Sequence, residues 1–210
     1  MDLSTFLKQV TRHLTANNFR YALAGGLVAS IYRTEERLTK DLDFLILANT
    51  NTLTQAAQII QKFGLEPNII HKADLEGGPL FAIKRKNTTP YMIAGREHGN
   101  PQAIGLDFIL PEMPWFDSAL NRAEVNLIDY GFGALPCLTV EDIIIAKFFS
   151  FQNNPQRFND LDDLQSIFNA KHALDLPYLC GQMQKLKIVV PDLIKNIAPH
   201  ALVLNAKNIR

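Results

Sequence analysis

The chain has 210 residues, with 21 Lys+Arg balancing 21 Asp+Glu, 47% hydrophobic and 20% charged. Those proportions exclude a disordered tail, a collagenous repeat and a disulfide-rich miniprotein. Zero net charge argues against nucleic-acid binding that works mainly through bulk positive charge.

In chain order, Leu3, Phe6, Leu7, Val10 and Leu14 recur at helical spacing and predict an amphipathic first helix. A short strand, Tyr21–Ala24, runs into Gly25-Gly26 and a helical stretch, Leu27–Tyr32. Asp41–Leu47 (DLDFLIL) reads as a strand that is apolar on both faces beyond its first carboxylates. Thr52 is expected to cap an Ala/Gln-rich helix that stops at Gly64. Two further strands are expected around Leu80–Lys86 and Ala103–Leu110, with a polar connection containing Pro90, Gly95, Gly99 and Pro101 between them. Weaker strand signals cover Glu124–Asp129 and Ala134–Leu138, and Trp115 starts a helix after Pro114. From Thr139 the period turns helical, opening on the capping-box pattern Thr139-Val140-Glu141-Asp142. Helices are expected near 140–152, 157–170, 176–187 and 191–197. The expected fold class is α/β (α+β), a mixed sheet flanked by helices over 1–138 and a helical domain over 139–210.

Cys137 and Cys180 are far apart and lie in no C-x-x-C pattern, so neither zinc nor a disulfide framework is indicated. No signal-peptide pattern opens the chain, and no apolar run reaches the ~18 residues of a membrane span. A soluble cytoplasmic protein is expected, with no membrane partner.

Chemistry concentrates at Asp41-Leu42-Asp43. Residues i and i+2 of a strand share a face, about 6–7 Å apart at their Cα atoms. Two such carboxylates starting a buried strand repel one another, and burial adds to the cost unless something neutralises them. A divalent cation does so, and hard carboxylate oxygens suit Mg²⁺. The plainer alternative is a strand end whose acids face water. Gly25-Gly26 closes a strand and opens a helix, where backbone amides hold phosphate, though an ordinary tight turn has the same look. Asp107, in Ile104-Gly105-Leu106-Asp107-Phe108, is a third carboxylate inside an otherwise hydrophobic strand.

Together, Gly25-Gly26, Arg37-Leu38-Thr39-Lys40-Asp41-Leu42-Asp43-Phe44 and the later Asp107 resemble the nucleotidyltransferase superfamily, related in fold to DNA polymerase β. The closer resemblance is to AbiEii-like nucleotidyltransferases, a group that includes abortive-infection and type IV toxins. The resemblance implies that Asp41, Asp43 and Asp107 are catalytic and hold Mg²⁺ or Mn²⁺, with Asp107 also helping to deprotonate the acceptor. It implies that Gly25 and Gly26 cradle the triphosphate, and that Arg37 and Thr39 stand near the acidic pair. Where the wider superfamily often carries serine, this chain has Gly26, and Ser30 or Thr39 is the candidate to compensate.

Lys147 lies on the apolar stripe of its helix with Ile143, Ile144 and Phe151, so it must snorkel, pair or serve a ligand. The resemblance gives it a nucleotide-binding role. Arg157, Asp160 and Asp163 fall at i, i+3 and i+6, either a surface ion-pair ladder or the R…D-x-x-D pattern of the family helix. Asp160 joins the nucleotide-binding candidates on that ground. The five histidines have no metal-ligand spacing, Lys84-Arg85-Lys86 reads as a solvated hairpin tip, and Trp115 reads as packed rather than base-stacking.

The activity implied is transfer of a nucleoside monophosphate from an NTP to an acceptor hydroxyl, with release of pyrophosphate. RNA, including tRNA, a protein side chain or a small molecule remain open as acceptor, and the toxin branch implies a cognate antitoxin. The alternatives are an antibiotic-modifying nucleotidyltransferase and an inactive nucleotide-binding or regulatory member of the fold.

Overall fold

The computed structural model describes residues 2–71 and 90–205. Helix α1 (Leu3–Ala16) starts where Asp2 accepts the Thr5 N–H, and it buries Phe6, Leu7, Val10 and Leu14. Strand β1 (Arg20–Ala24) runs directly into α2 (Gly25–Tyr32), and β2 spans Asp41–Leu47. Helix α3 (Thr52–Lys62) is capped by Asn51, which accepts the Thr54 N–H at 3.1 Å. The expected cap, Thr52, instead accepts the Ala48 N–H. Gly64 follows α3 with φ +76, which favours glycine at this helix exit.

Strands β3 (Glu66–His71) and β4 (Pro90–Arg96) had no counterpart in the sequence reading, which placed a polar connection across β4. Pro90 sits at the first residue of β4, where a missing N–H is tolerated. At Gly95 an added Cβ would stand 2.7 Å from Ile60 of α3 and 2.9 Å from the Leu106 carbonyl oxygen. The two residues that argued against a strand therefore have places in one. β5 (Gly105–Ile109) lies within its expected range, whereas the expected strand 80–86 and Lys84-Arg85-Lys86 fall outside the described residues.

The sheet order is β1-β2-β5-β4-β3. Only β2 and β5 pair in parallel; the other neighbours are antiparallel. Leu42, Phe44, Ile46, Leu106 and Phe108 alternate onto one face and are fully buried there. Burying each such side chain is worth about 1.5–3 kcal/mol. The opposite face carries the acids.

Beyond the sheet come α4 (Phe116–Ala123) and a small hairpin, β6 (Leu127–Asp129) and β7 (Ala134–Pro136). The hairpin joins the free edge of β1 through a bridge between Leu23 and Cys137, and the Leu138 N–H donates to the Leu23 carbonyl at 2.9 Å. Thr139 then caps α5 (Val140–Asn153) by accepting the Asp142 N–H. Helices α6 (Phe158–Asn169), α7 (Leu176–Leu186) and α8 (His200–Asn205) follow among the described residues. The helix expected over 191–197 is a single 3-10 turn at Asp192–Ile194, and α8 was not anticipated. No helix among the described residues is long and apolar enough to cross a membrane.

Candidate active site

Parallel pairing sets Asp43 of β2 directly beside Asp107 of β5, and Asp41 beside Gly105. The two-residue period puts all three carboxylates on the same face. On the other side of β2, Asp43 pairs with Ala24, the last residue before α2. Gly25 holds φ +63, and a Cβ there would overlap the Asp43 carboxylate. Glycine is thus required twice, for its backbone conformation and for the close approach of an acid. The Asp43 carboxylate lies against Gly25 at the start of α2, where the Gly26 amide helps draw its carboxyl down, and α2 has no side-chain N-cap.

A Cβ on Gly26 would lie 2.8 Å from Arg37 Nη2 and 2.9 Å from Thr39 Oγ1. The space a serine would need is taken by these two side chains, which explains the glycine. Ser30 does not fill in at the helix end. Its hydroxyl stands 3.0 Å from the Gly26 carbonyl oxygen and 3.1 Å from that of Arg37, tying α2 to the loop that follows it.

Sequence reasoning missed Arg96, hidden in the stretch read as a connection. From the end of β4 its Nη2 donates to Asp107 Oδ2 at 2.9 Å and its Nη1 donates to Oδ1, while Asp41 Oδ2 lies 3.7 Å away. Burial raises the Asp107 carboxyl above the usual range, with Arg96 opposing. Asp43 is half-buried by area yet ringed by protein, and this desolvation, with repulsion from Asp107, pushes it up to about 7. Lys147 works against that rise and Asp41 adds to it. Arg96 thus reaches two of the three acids.

The helices hold the reverse balance. Lys147 is 7% exposed, and its Nζ lies 2.7 Å from Asp160 Oδ1 and 2.8 Å from Asp163 Oδ2. Asp163, fully buried, also accepts from Arg37 Nε at 2.7 Å, Arg37 Nη2 at 3.0 Å and Arg33 Nη1 at 2.8 Å. Arg157 donates to Asp160. Burial opposes ionisation of both acids, but the cations outweigh it and hold them below the ordinary carboxylate range. Lys147 is therefore a paired lysine, and Arg37 reaches from beside Gly26 into this cluster rather than to Asp41. The R…D-x-x-D spacing carried the signal for Asp163, but its partners Arg33 and Arg37 are remote in sequence.

A cavity of about 330 Å³ opens between the sheet and α5, lined by Gly25, Asp43, Lys147, Arg157 and Asp160 among others. Asp41, Asp107, Gly26, Arg37 and Thr39 do not line it. Of the histidines, His172 contacts the Tyr32 carbonyl and His13 the Asn17 and Lys62 side chains. Among the described residues, no three His, Cys, Asp or Glu side chains converge around one point as metal ligands, and Arg96 engages Asp107 of the triad.

The family model described as "Nucleotidyl transferase AbiEii toxin, Type IV TA system" matches residues 5–201. The chain belongs to this AbiEii family. Similar solved structures include an antigenic nucleotidyltransferase-like protein from Paracoccidioides brasiliensis, at 20% identity and TM-score 0.50, covering 80% of this chain and 75% of that one. ANT(2")-Ia in complex with adenylyl-2"-tobramycin aligns at 12% identity and TM-score 0.54, covering 88% of this chain and 96% of that one. At these identities the likeness shows the fold, which this AbiEii member shares with nucleotidyltransferase-like proteins. No curated protein matches it by sequence.

Proposed function

We propose that this AbiEii-family protein is a divalent-metal-dependent nucleotidyltransferase that moves a nucleoside monophosphate from an NTP onto an acceptor hydroxyl, RNA being the favoured acceptor. The observation that carries the reading is the under-neutralised triad of Asp41, Asp43 and Asp107 facing a helix N-terminus with no side-chain cap. The donor set fits a hard divalent cation: all oxygen, mutually repelling, and with the Asp43 carboxyl raised by burial and by repulsion from Asp107. Asp41 and Asp43 would hold it, joined by Asp107 once Arg96 gives way. The chemistry such a cation would supply there is charge neutralisation of the triphosphate and of the departing pyrophosphate.

The remaining work falls to this chain's own groups. The α2 amides and Lys147 Nζ orient the phosphates, and phosphoryl transfer needs such positioning more than a protein nucleophile. Asp107, lifted by burial, takes the acceptor hydroxyl proton as the new O–P bond forms and the bond to pyrophosphate breaks. Arg96, which engages both oxygens of that carboxylate, holds it until the acceptor and cation are in place. Arg96, half-exposed and within 3.7 Å of Asp41, would offer a polyanionic acceptor such as RNA a basic contact on the Asp41 and Asp107 side of the site.

The test is incubation with Mg²⁺, each α-labelled NTP and total RNA, beside Asp43→Ala. Labelled RNA that vanishes in the variant is the expected result. Absence of label on RNA and on a panel of protein and drug acceptors defeats the proposal, and label on a drug alone redirects it to antibiotic modification.

A further inference from the structure

The guanidinium of Arg96, the last residue of β4, is only partly used. Nη1 donates to the Gly95 carbonyl at 2.8 Å as well as to Asp107 Oδ1, and Nη2 donates to Asp107 Oδ2. Its Nε–H and the second N–H of Nη2 have no acceptor among the described residues, since Asp41 Oδ2 at 3.7 Å is beyond hydrogen-bond range. The side chain is 48% exposed, so these donors can be met from solution. At Gly105 an added Cβ would collide with the Asp41 carboxylate and stand 2.6 Å from Arg96 Nη1. The guanidinium therefore lies over Gly105, between Asp41 and Asp107. There it competes with any cation for Asp107, both of whose oxygens it occupies.

We propose that Arg96 reads the acceptor: it exchanges Asp107 for a phosphate lying beside the reactive hydroxyl, and so frees Asp107 for the cation and for the hydroxyl proton. The proposal rests on the nucleotidyl-transfer reading and adds to it a requirement on the acceptor. The exchange is close to balanced, because carboxylate and phosphate both take a guanidinium through two parallel N–H bonds. The acceptor, not the NTP, supplies this phosphate. Arg96 does not line the cavity that holds Gly25 and Lys147, the groups assigned to the triphosphate. Since the guanidinium already touches the acid assigned to the hydroxyl, the anion it takes must be close to that hydroxyl in the same molecule. The end of a polynucleotide meets this condition with the phosphodiester of its last nucleotide, whereas a cationic drug or a protein side-chain hydroxyl brings no such anion. Asp107 is 4% exposed and needs another cation once Arg96 leaves, so phosphate capture and metal binding each tighten the other by the same factor.

The coupling is read without any transfer, from the free-ion signal of Mn²⁺ in electron-paramagnetic titrations of the full-length protein. Titrations are run on the protein alone, with a short oligoribonucleotide ending in a free 3′-hydroxyl, and with the same oligonucleotide carrying a neutral methylphosphonate as its last linkage. Each is corrected for Mn²⁺ held by the oligonucleotide itself. The phosphodiester form should tighten Mn²⁺ binding about 3- to 10-fold, and the methylphosphonate form should leave it unchanged. Arg96→Gln should bind Mn²⁺ that tightly without oligonucleotide and gain nothing when it is added. Arg96→Lys keeps the charge but loses the two-pronged grip, and should fall between. Equal Mn²⁺ affinity with and without the phosphodiester form, equal tightening by both forms, or undiminished tightening in Arg96→Gln overturns the proposal. If RNA is still labelled in an Asp43-dependent way in that case, the transferase reading stands without the exchange. If Mn²⁺ does not bind the wild type at all, both fail together. The comparison of the two oligonucleotides uses the unmodified protein, so it decides the matter even if a variant does not fold.

Discussion

Two acidic clusters lie on either side of the cavity, with opposite charge balance. On the sheet, Arg96 pairs with Asp107 and lies near Asp41, Asp43 has no ion pair among the described residues, and the Asp43 and Asp107 carboxyls are raised. Between the helices, Asp160 and Asp163 receive Lys147, Arg33, Arg37 and Arg157, and both carboxyls are lowered. Burial alone pushes every one of these acids the same way, so the difference lies in the supply of positive charge. The helical cluster ties α6 to α2 through its ion pairs, whereas the sheet cluster has fewer cations than acids, the shortage on which the proposed metal site rests.

The largest effect should come from emptying the helical cluster. Asp163→Ala takes a partner from three cations, leaving Lys147 with Asp160, Arg33 with Asp162 and Arg37 with no carboxylate, and should lower stability by about 3–5 kcal/mol, read as a melting temperature lower by roughly 10 °C. A loss under about 1 kcal/mol would place the weight elsewhere in the helices. Asp43→Ala should do the reverse, cutting NMP transfer by about a thousandfold, or ~4 kcal/mol of barrier, while thermal unfolding stays the same or improves. A melting temperature that drops with the activity would make Asp43 a fold residue.

Acid and base should then separate the clusters. Asp160 and Asp163 have lowered values, so their stabilisation is present above the ordinary carboxylate value of about 4 and is lost as pH falls below it. Asp43 is raised to about 7, so its contribution is full at low pH and is lost as pH rises through about 7. In EDTA the melting temperature should therefore fall between about pH 5 and pH 8, flatten in Asp43→Asn, and recover with Mg²⁺. A profile that is level in the wild type across that range contradicts the charge shortage. The smallest effect concerns Arg96→Gln, which frees Asp107 and should tighten Mn²⁺ binding by about 3- to 10-fold in an electron-paramagnetic titration. Weaker binding would show that Arg96 assists the metal instead of competing with it.

Much of the sheet cluster was legible in sequence. The strand DLDFLIL begins and ends as its pattern suggests, and Gly25-Gly26 marks a turn whose glycines the geometry requires. Asp107 stood out because an acid is rare in such a strand. Arg96 was hidden because Pro90 and Gly95 disguise β4, and what licenses them, a strand's first residue and the Ile60 side chain, is tertiary. The helical cluster was half legible: local spacing gave Asp160 and Lys147, but the pairing of Arg33 and Arg37 with Asp163 crosses more than a hundred residues. Trp115 was read as packed, and it is.

The short bridge from Leu23 to Cys137 bears on how the site can move. β1 leads without a break into Gly25, and the hairpin on its edge leads through Leu138 and Thr139 into the helix of Lys147. The two groups assigned to phosphate are therefore launched from backbones hydrogen-bonded to each other one residue before they part. We propose residue 138 as the boundary between catalytic and helical domains; at that boundary the chain is riveted rather than hinged.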